Sequence, residues 1–134
     1  MVIAMTRPDL AVELLEATGK KAEFLTEAAG RLGLPVTVHH GRAEELATGQ
    51  LAGAFDLVTA RAVAPLQRLG PWTAPFLRRG GQLHAIKGER WSEELTAARP
   101  TLDRLGLVVR AIPSGGRPEG EAGGPRVVVL ERTR

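Results

Sequence analysis

Residues 55–66 read F-D-L-V-T-A-R-A-V-A-P-L and give the clearest indication of the fold class. Its first half, Phe55 to Ala60, is almost entirely apolar, as is typical of a strand that is buried on both faces of a sheet. A helix is expected after Pro65, ending before the R-R-G-G stretch at 78–81. The stretch Q-L-H-A-I-K at 82–87 then predicts the next strand, so that a helix connects two strands.

The same alternation of strand and helix continues toward both ends of the chain. On the N-terminal side, the pattern predicts a strand at 11–16, a helix at 20–32 that ends at Gly33, and a strand at 36–40. On the C-terminal side, it predicts a helix at 91–105 and strands at 107–112 and 126–131. We expect Ser92 to cap the C-terminal helix and Pro100 to kink it or split it in two.

This alternation defines the expected fold class. Strands that are separated by helices pair in parallel through right-handed crossovers. The last two strands have only a Gly- and Pro-rich loop at 113–125 between them, and are expected to form an antiparallel pair at a sheet edge. We therefore predict an α/β fold in one domain, residues 1–134, with an open, mostly parallel sheet that is covered by helices.

Ligands of such sheets bind outside the carboxyl ends of the strands. The positions that follow the predicted strands are therefore the first candidates for a functional site: Glu16, Gly41 to Glu44, Arg61, and Lys87 with Gly88. Asp56 lies early in its strand, away from the carboxyl end, and is not expected to be catalytic. His39 and His40 are adjacent strand residues whose side chains face opposite ways, so we expect no metal site.

The composition excludes several chemical classes. The 134 residues contain no cysteine, which excludes disulfides, thiolate nucleophiles and iron–sulfur clusters and fits a cytoplasmic protein. No apolar run approaches the ~20 residues of a membrane helix, so no membrane partner is expected. Arginine supplies 15 of the 18 basic residues, and its planar fork suits phosphate. A nucleic-acid partner and the codon usage of a GC-rich genome explain this arginine content equally well.

Several motifs together resemble one protein family. They lie at residues 7–25 (R-P-D-L-A-V-E-L-L-E-A-T-G-K-K-A-E-F-L), 40–46 (H-G-R-A-E-E-L), 55–66 and 80–88 (G-G-Q-L-H-A-I-K-G), with R-V-V-V-L-E at 126–131 as the closing strand. These stretches are similar to the RsmG family, also called glucose-inhibited division protein B. The N-terminal helical region of that family, and its first strand with a glycine-rich turn, have no counterpart in this sequence. The resemblance therefore implies a family sheet whose first strand is absent.

The resemblance also implies a Rossmann-like class I methyltransferase fold with S-adenosyl-L-methionine as the cofactor. The implied activity is methyl transfer to N7 of a guanine in bacterial small-subunit (16S) ribosomal RNA, with that RNA or the small ribosomal subunit as the partner. Guanine N7 carries a lone pair and no proton, so the transfer needs no general base and depends on proximity and alignment. No catalytic residue is therefore predicted, and Arg61 is the nearest candidate.

Cofactor contacts follow from the resemblance residue by residue. Glu16, with Ala17 beside it, corresponds to the position at the cofactor ribose. Ala43 and Glu44 correspond to the position at the adenine, partly through backbone groups, and Arg61 to a position beside the cofactor and the catalytic pocket. The alternatives are a solvated carboxylate for Glu16, an ordinary helix start for Glu44 and a surface salt bridge for Arg61.

RNA contacts are expected from Arg61, Lys87 and Arg126, since each of these cationic side chains suits a phosphate. A solvated surface charge is the alternative at each position. For the chain as a whole, the alternatives are a catalytically inactive fragment of such an enzyme and an RNA-binding α/β module that binds no cofactor.

Overall fold

The structure is a computed structural model that describes residues 9–16, 18–46, 49, 51–61, 64–113 and 126–134. The chain divides into two compact units, residues 1–46 and residues 47–134. The expectation of a single domain over residues 1–134 stays a prediction.

The first unit alternates strand and helix as expected. Its elements are β1 (Glu13–Glu16), α1 (Gly19–Leu32), β2 (Thr37–His40) and the short helix α2 (Ala43–Leu46). β1 and β2 pair in parallel, which places Glu16 opposite His40 at their carboxyl ends. Helix α1 ends at Gly33, whose φ of 64° is left-handed and whose amide donates to the carbonyls of the preceding turn. The predicted stop signal is thereby confirmed.

The second unit contains one sheet with its covering helices. Its elements are β3 (Phe55–Arg61), α3 (Leu66–Thr73), a 3-10 turn (Ala74–Phe76), β4 (Leu77–Lys87), α4 (Trp91–Leu105), β5 (Leu107–Ala111) and β6 (Arg126–Arg132). Among the described residues the strand order is β3-β4-β6-β5. β3 and β4 are parallel, whereas β6 is antiparallel to both of its neighbours. The α/β fold and its antiparallel C-terminal pair are confirmed, with β5 as the edge strand.

The core of the second unit lies between one face of this sheet and helices α3 and α4. Alternate residues of β4, such as Leu83 and Ala85, are fully buried on that face, as the period of two in a strand requires. They pack in one cluster with leucines of both helices and with Leu107, Val128 and Leu130 of the last two strands. On the opposite face, Leu57, Ile86 and Val108 stay 38–42% exposed.

Helix α4 departs from the sequence expectation at two residues. It begins at Trp91 after Arg90, without a side-chain cap, so the prediction that Ser92 caps it is wrong. The Ser92 carbonyl instead accepts a hydrogen bond from Thr96 Oγ1 at 3.0 Å, inside the first turns. Pro100 does not split the helix, which continues to Leu105. The buried face of α4 packs on both sides of Pro100, and this packing offsets the missing amide hydrogen bond.

Strand β4 is longer than predicted because it contains a bulge. Phe55 pairs with Leu77 and Leu57 pairs with Gln82, so the four residues 78–81 lie opposite Asp56 alone. Gly80 adopts a φ of +84°, which favours glycine. A Cβ on Gly81 would lie 2.9 Å from two backbone oxygens, those of Arg78 and Phe55. The sequence R-R-G-G, expected to follow the helix as a break, is therefore part of the strand.

Candidate functional site at the carboxyl ends of the strands

In the first unit, the predicted site residues lie where β1 and β2 end. Glu16 is the last residue of β1, and Ala43 and Glu44 begin α2 shortly after β2. The carbonyl of Arg42 accepts hydrogen bonds from the amides of residues 45 and 46, both at 3.1 Å, which fixes this turn. The backbone of the unit therefore brings Glu16 close to the turn before α2, as parallel pairing requires. Ala17 lies outside the described residues.

The adjacent histidines of β2 have separate surroundings. His39 Nε2 lies 2.7 Å from Oε1 of Glu13 across the β1–β2 pair. The ring of His40 lies near Gly19, where a Cβ added to the glycine would be 3.5 Å from the imidazole Cε1. Among the residues that the structure describes, no three histidine or carboxylate side chains are grouped as metal ligands.

In the second unit, the three residues predicted to contact RNA lie at the same end of neighbouring strands. Arg61 ends β3 and pairs with Ile86, the neighbour of Lys87 in β4. Lys87 in turn pairs with Arg126, where β6 begins. Parallel pairing of β3 with β4 and antiparallel pairing of β4 with β6 therefore place Arg61, Lys87 and Arg126 at the same end of three neighbouring strands.

Lys87 is not a surface cation. Its side chain is only 5% exposed, and its ammonium lies 3.1 Å from Oε1 of Glu94. The same ammonium donates a hydrogen bond to the carbonyl of Ala64. An RNA contact by Lys87 stays a prediction, whereas its internal ion pair is a direct feature of the structure.

Glu94 is the functional candidate that sequence reasoning missed. Its Oε1 also accepts a hydrogen bond from the amide of Leu66 at 3.3 Å, so it links α4 to the start of α3. The available sequence signal was an acid in the first turn of a helix, which by itself indicates only a favourable interaction with the helix dipole. Its pairing with Lys87 depends on how α4 packs against the sheet and has no local signature.

Two further polar residues of the second unit lie away from this edge. Asp56, near the start of β3, forms an ion pair with Arg78 in the bulge of β4. His84 lies in the middle of β4, and its Nε2 is 3.0 Å from Oε1 of Gln82. Burial lowers the pKa of His84 below its ordinary value of 6.5.

The fold defines the class of the protein. It matches the crystal structure of geranyl diphosphate C-methyltransferase from Streptomyces coelicolor in complex with Mg2+, geranyl diphosphate and S-adenosyl-L-homocysteine. The match has a TM-score of 0.71 at 16% sequence identity and covers 99% of this chain and 68% of that one. The chain therefore has the α/β fold of class I methyltransferases.

Sequence comparison identifies the family. The model of the GidB family, described as rRNA small subunit methyltransferase G, matches residues 1–121. The chain belongs to this family, and the resemblance drawn from its motifs is confirmed.

Two relatives, both named ribosomal RNA small subunit methyltransferase G, show the extent of the similarity. The protein from Sorangium cellulosum is 52% identical over 76% of this chain and 43% of its own length. The protein from Salinispora tropica is 44% identical over 96% of this chain and 52% of its own length. The chain thus spans about half the length of the curated relatives it matches. No described helix is long and apolar enough to cross a membrane.

Proposed function

We propose that this chain binds S-adenosyl-L-methionine and takes part in methyl transfer to N7 of a guanine in bacterial 16S ribosomal RNA. The observation that carries the proposal is that Arg61 and Lys87 end the parallel strands β3 and β4, and that Arg126, the first residue of the antiparallel strand β6, lies beside Lys87 at the same end of the sheet. Membership of the rRNA small subunit methyltransferase G family supports the substrate class.

The residues at the strand ends fit the chemistry of the cofactor. Glu16 ends a parallel strand, the position from which a carboxylate accepts hydrogen bonds from ribose hydroxyls. Ala43 and Glu44 begin α2, where backbone groups and a side chain provide the donor and the acceptor that an adenine edge needs. Ala17 follows Glu16 in the chain and belongs to the same proposal. When bound, the cofactor supplies an electrophilic methyl group.

Arg61 is the residue that we assign to both ligands. It ends β3 at the edge described above, where a guanidinium can bind a carboxylate or a phosphate through two parallel hydrogen bonds. Such a contact orients the group that it binds, and alignment of two reactants is worth up to ~7–11 kcal/mol in well-oriented systems. Guanine N7 has no proton to remove, so the proposed role of Arg61 is to orient the group that it binds, without acting as a base.

The RNA partner is assigned to the same edge. Arg126 stands beside Lys87 in the ladder, and phosphate neutralisation by such cations supplies salt-dependent affinity. For Lys87, whose ammonium is already paired with Glu94, we propose an indirect contribution through that ion pair. The 16S RNA or the small ribosomal subunit is the expected partner.

Methyl incorporation tests this proposal. Radiolabelled S-adenosyl-L-methionine is incubated with small subunits from a strain that lacks this modification, or with their deproteinised RNA, and N7-methylguanine is mapped by strand cleavage. Two proteins are compared: the 134-residue chain, and this chain joined to the parts of the Salinispora tropica relative that lie outside the match. We expect transfer by the extended protein, and loss of transfer when its Glu16 is replaced by Gln.

The control for that variant is Glu23→Gln, an exposed carboxylate on α1. Transfer by neither protein, with both folded, would contradict the proposal. RNA binding without any cofactor binding would instead identify an RNA-binding module.

A further inference from the structure

We propose that Glu94 is a positioning residue: with Lys87 it holds the Ala64 carbonyl and the Leu66 amide where the chain enters α3, and this support favours the ligand binding that we assign to Arg61. This inference rests on the proposed function, because it concerns the same edge of the sheet. Neither Glu94 nor Lys87 needs to touch a ligand for the effect.

The Lys87 side chain is buried. Its ammonium is removed from water and has two partners, the Glu94 carboxylate and the Ala64 carbonyl. A buried charge without such partners is strongly unfavourable, so the lysine holds both groups in place. Within the described residues of the second unit, the Lys87 ammonium thus connects β4 with α4, through Glu94, and with the segment before α3, through Ala64.

One carboxylate oxygen of Glu94 has two partners. Glu94 Oε1 lies 3.1 Å from the ammonium of Lys87 and 3.3 Å from the amide nitrogen of Leu66. Leu66 is the first residue of α3, and amides in the first turn of a helix have no partner within the helix. Pro65, which precedes it, has no side chain that could cap them. Glu94 therefore supplies from α4 the acceptor that α3 lacks at its start.

Arg61 and Leu66 lie at the two ends of the connection between β3 and α3. Its first residue is fixed by the pairing of Arg61 with Ile86, directly before Lys87. Its last residues are fixed by Lys87 through the Ala64 carbonyl and by Glu94 through the Leu66 amide. The chain that leaves the sheet at Arg61 is therefore held by the ladder at its start and by the Lys87–Glu94 ion pair where it enters α3. When the support of such a connection is removed, part of the connection has to become ordered on ligand binding. The cost of that ordering lowers the affinity of the ligand-binding residue next to it.

The alternative is that the pair contributes stability alone. A buried ion pair can often be replaced by apolar side chains of similar volume without loss of stability, whereas removal of one partner is costly. The double variant Lys87→Met/Glu94→Leu therefore separates the two roles. It keeps the packing, but it no longer holds the Ala64 carbonyl or the Leu66 amide.

The experiment measures, on the 134-residue chain, the Kd of S-adenosyl-L-homocysteine and the hydrogen exchange of the Leu66 amide. We expect the double variant to melt near the wild-type midpoint, to bind about tenfold more weakly, the scale of one lost hydrogen bond, and to exchange the Leu66 amide faster. Glu94→Gln retains an acceptor oxygen for Leu66 and is expected to recover part of the affinity. Glu93→Gln, its exposed neighbour in the same turn, is the matched control and should bind like wild type.

Wild-type affinity and wild-type exchange at Leu66 in the double variant would overturn the inference. If only Arg61→Ala loses binding while both Glu94 variants bind normally, the proposed function stands and this inference fails. If the wild-type chain binds no S-adenosyl-L-homocysteine, the proposed function fails, and exchange at Leu66 alone still reports whether Glu94 holds the start of α3. Should the double variant fail to fold, the comparison of Glu94→Gln with Glu93→Gln decides, and equal affinities there would also overturn the inference.

Discussion

Lys87 and Arg126 stand directly opposite each other in the antiparallel ladder between β4 and β6. Two like charges in this arrangement repel each other, and the carboxylate of Glu94 beside Lys87 offsets the repulsion. The two cations therefore differ in availability: Lys87 is buried and paired, whereas Arg126 is only partly buried. Arg126 is accordingly the residue at this position from which we expect a phosphate contact.

Arg126→Ala is expected to weaken RNA binding at all sequences and to leave cofactor binding unchanged. Loss of one phosphate contact lowers the slope of log K against log salt by about 0.7 for single-stranded RNA. The slope is measured by filter binding of a 16S RNA fragment over a salt series, with Arg99→Ala, an exposed arginine on α4, as the control. An unchanged slope would remove Arg126 from the RNA interface.

Gly81→Ala is expected to destabilise the second unit. The new Cβ would lie 2.9 Å from the backbone oxygens of Arg78 and Phe55, which cannot move aside as a flexible side chain would. Such overpacking costs about 1–3 kcal/mol. The matched substitution is Gly30→Ala in α1, where nothing lies within 4 Å and the change should stabilise by about 0.5–1 kcal/mol. Urea unfolding gives the change in the free energy of unfolding for each variant. Changes of equal size and sign in the two variants would contradict the bulge geometry.

Acid is expected to destabilise the chain through His84. Because burial lowers the pKa of His84 in the folded protein, the unfolded chain binds more protons once the pH falls below 6.5. The stability contribution of the neutral ring is therefore complete above pH 6.5 and is lost as the pH falls through the folded-state pKa.

The free energy of unfolding of His84→Gln should thus fall less steeply than that of wild type below pH 6.5. Above pH 7.5, the difference between the two proteins should be constant, which serves as the internal control. A steeper decline for the variant would have the wrong sign and would refute this assignment.

Strand β3 is expected to make the isolated chain self-associate. Among the described residues it has β4 on one side and no strand on the other, and open edges of this kind favour intermolecular pairing. Leu57→Lys places a charge on this edge, whereas Ile86→Lys places one on the same face of the inner strand β4. We expect only Leu57→Lys to reduce the association seen by analytical ultracentrifugation. Equal reduction by both would indicate that the apolar face, rather than the edge, drives association.

Much of the fold follows from local sequence pattern. The apolar run after Phe55, the stop signal at Gly33 and the alternation of strands with helices were sufficient to predict the class of sheet and the antiparallel ending. Position at the end of a predicted strand also selected Arg61 and Lys87 as candidates, and the structure places both at the same end of the β3–β4 pair.

The rest depends on contacts between distant parts of the chain. The bulge at 78–81 is invisible in sequence because R-R-G-G has the composition of a turn, and only pairing with β3 makes it part of a strand. Pro100 is tolerated since tertiary packing of α4 outweighs a local preference. The burial of Lys87 and its pairing with Glu94 arise from the packing of α4 on the sheet, which no local motif encodes.

Cofactor binding at Arg61 is tested by calorimetric titration of the 134-residue chain with S-adenosyl-L-homocysteine, comparing wild type with Arg61→Ala. Hydrogen bonds to charged groups contribute about 1.5–3 kcal/mol. We therefore expect saturable binding by wild type and a Kd that is about ten- to a hundredfold higher in the variant. A folded chain that does not bind, or an Arg61→Ala variant that binds as tightly as wild type, would contradict it.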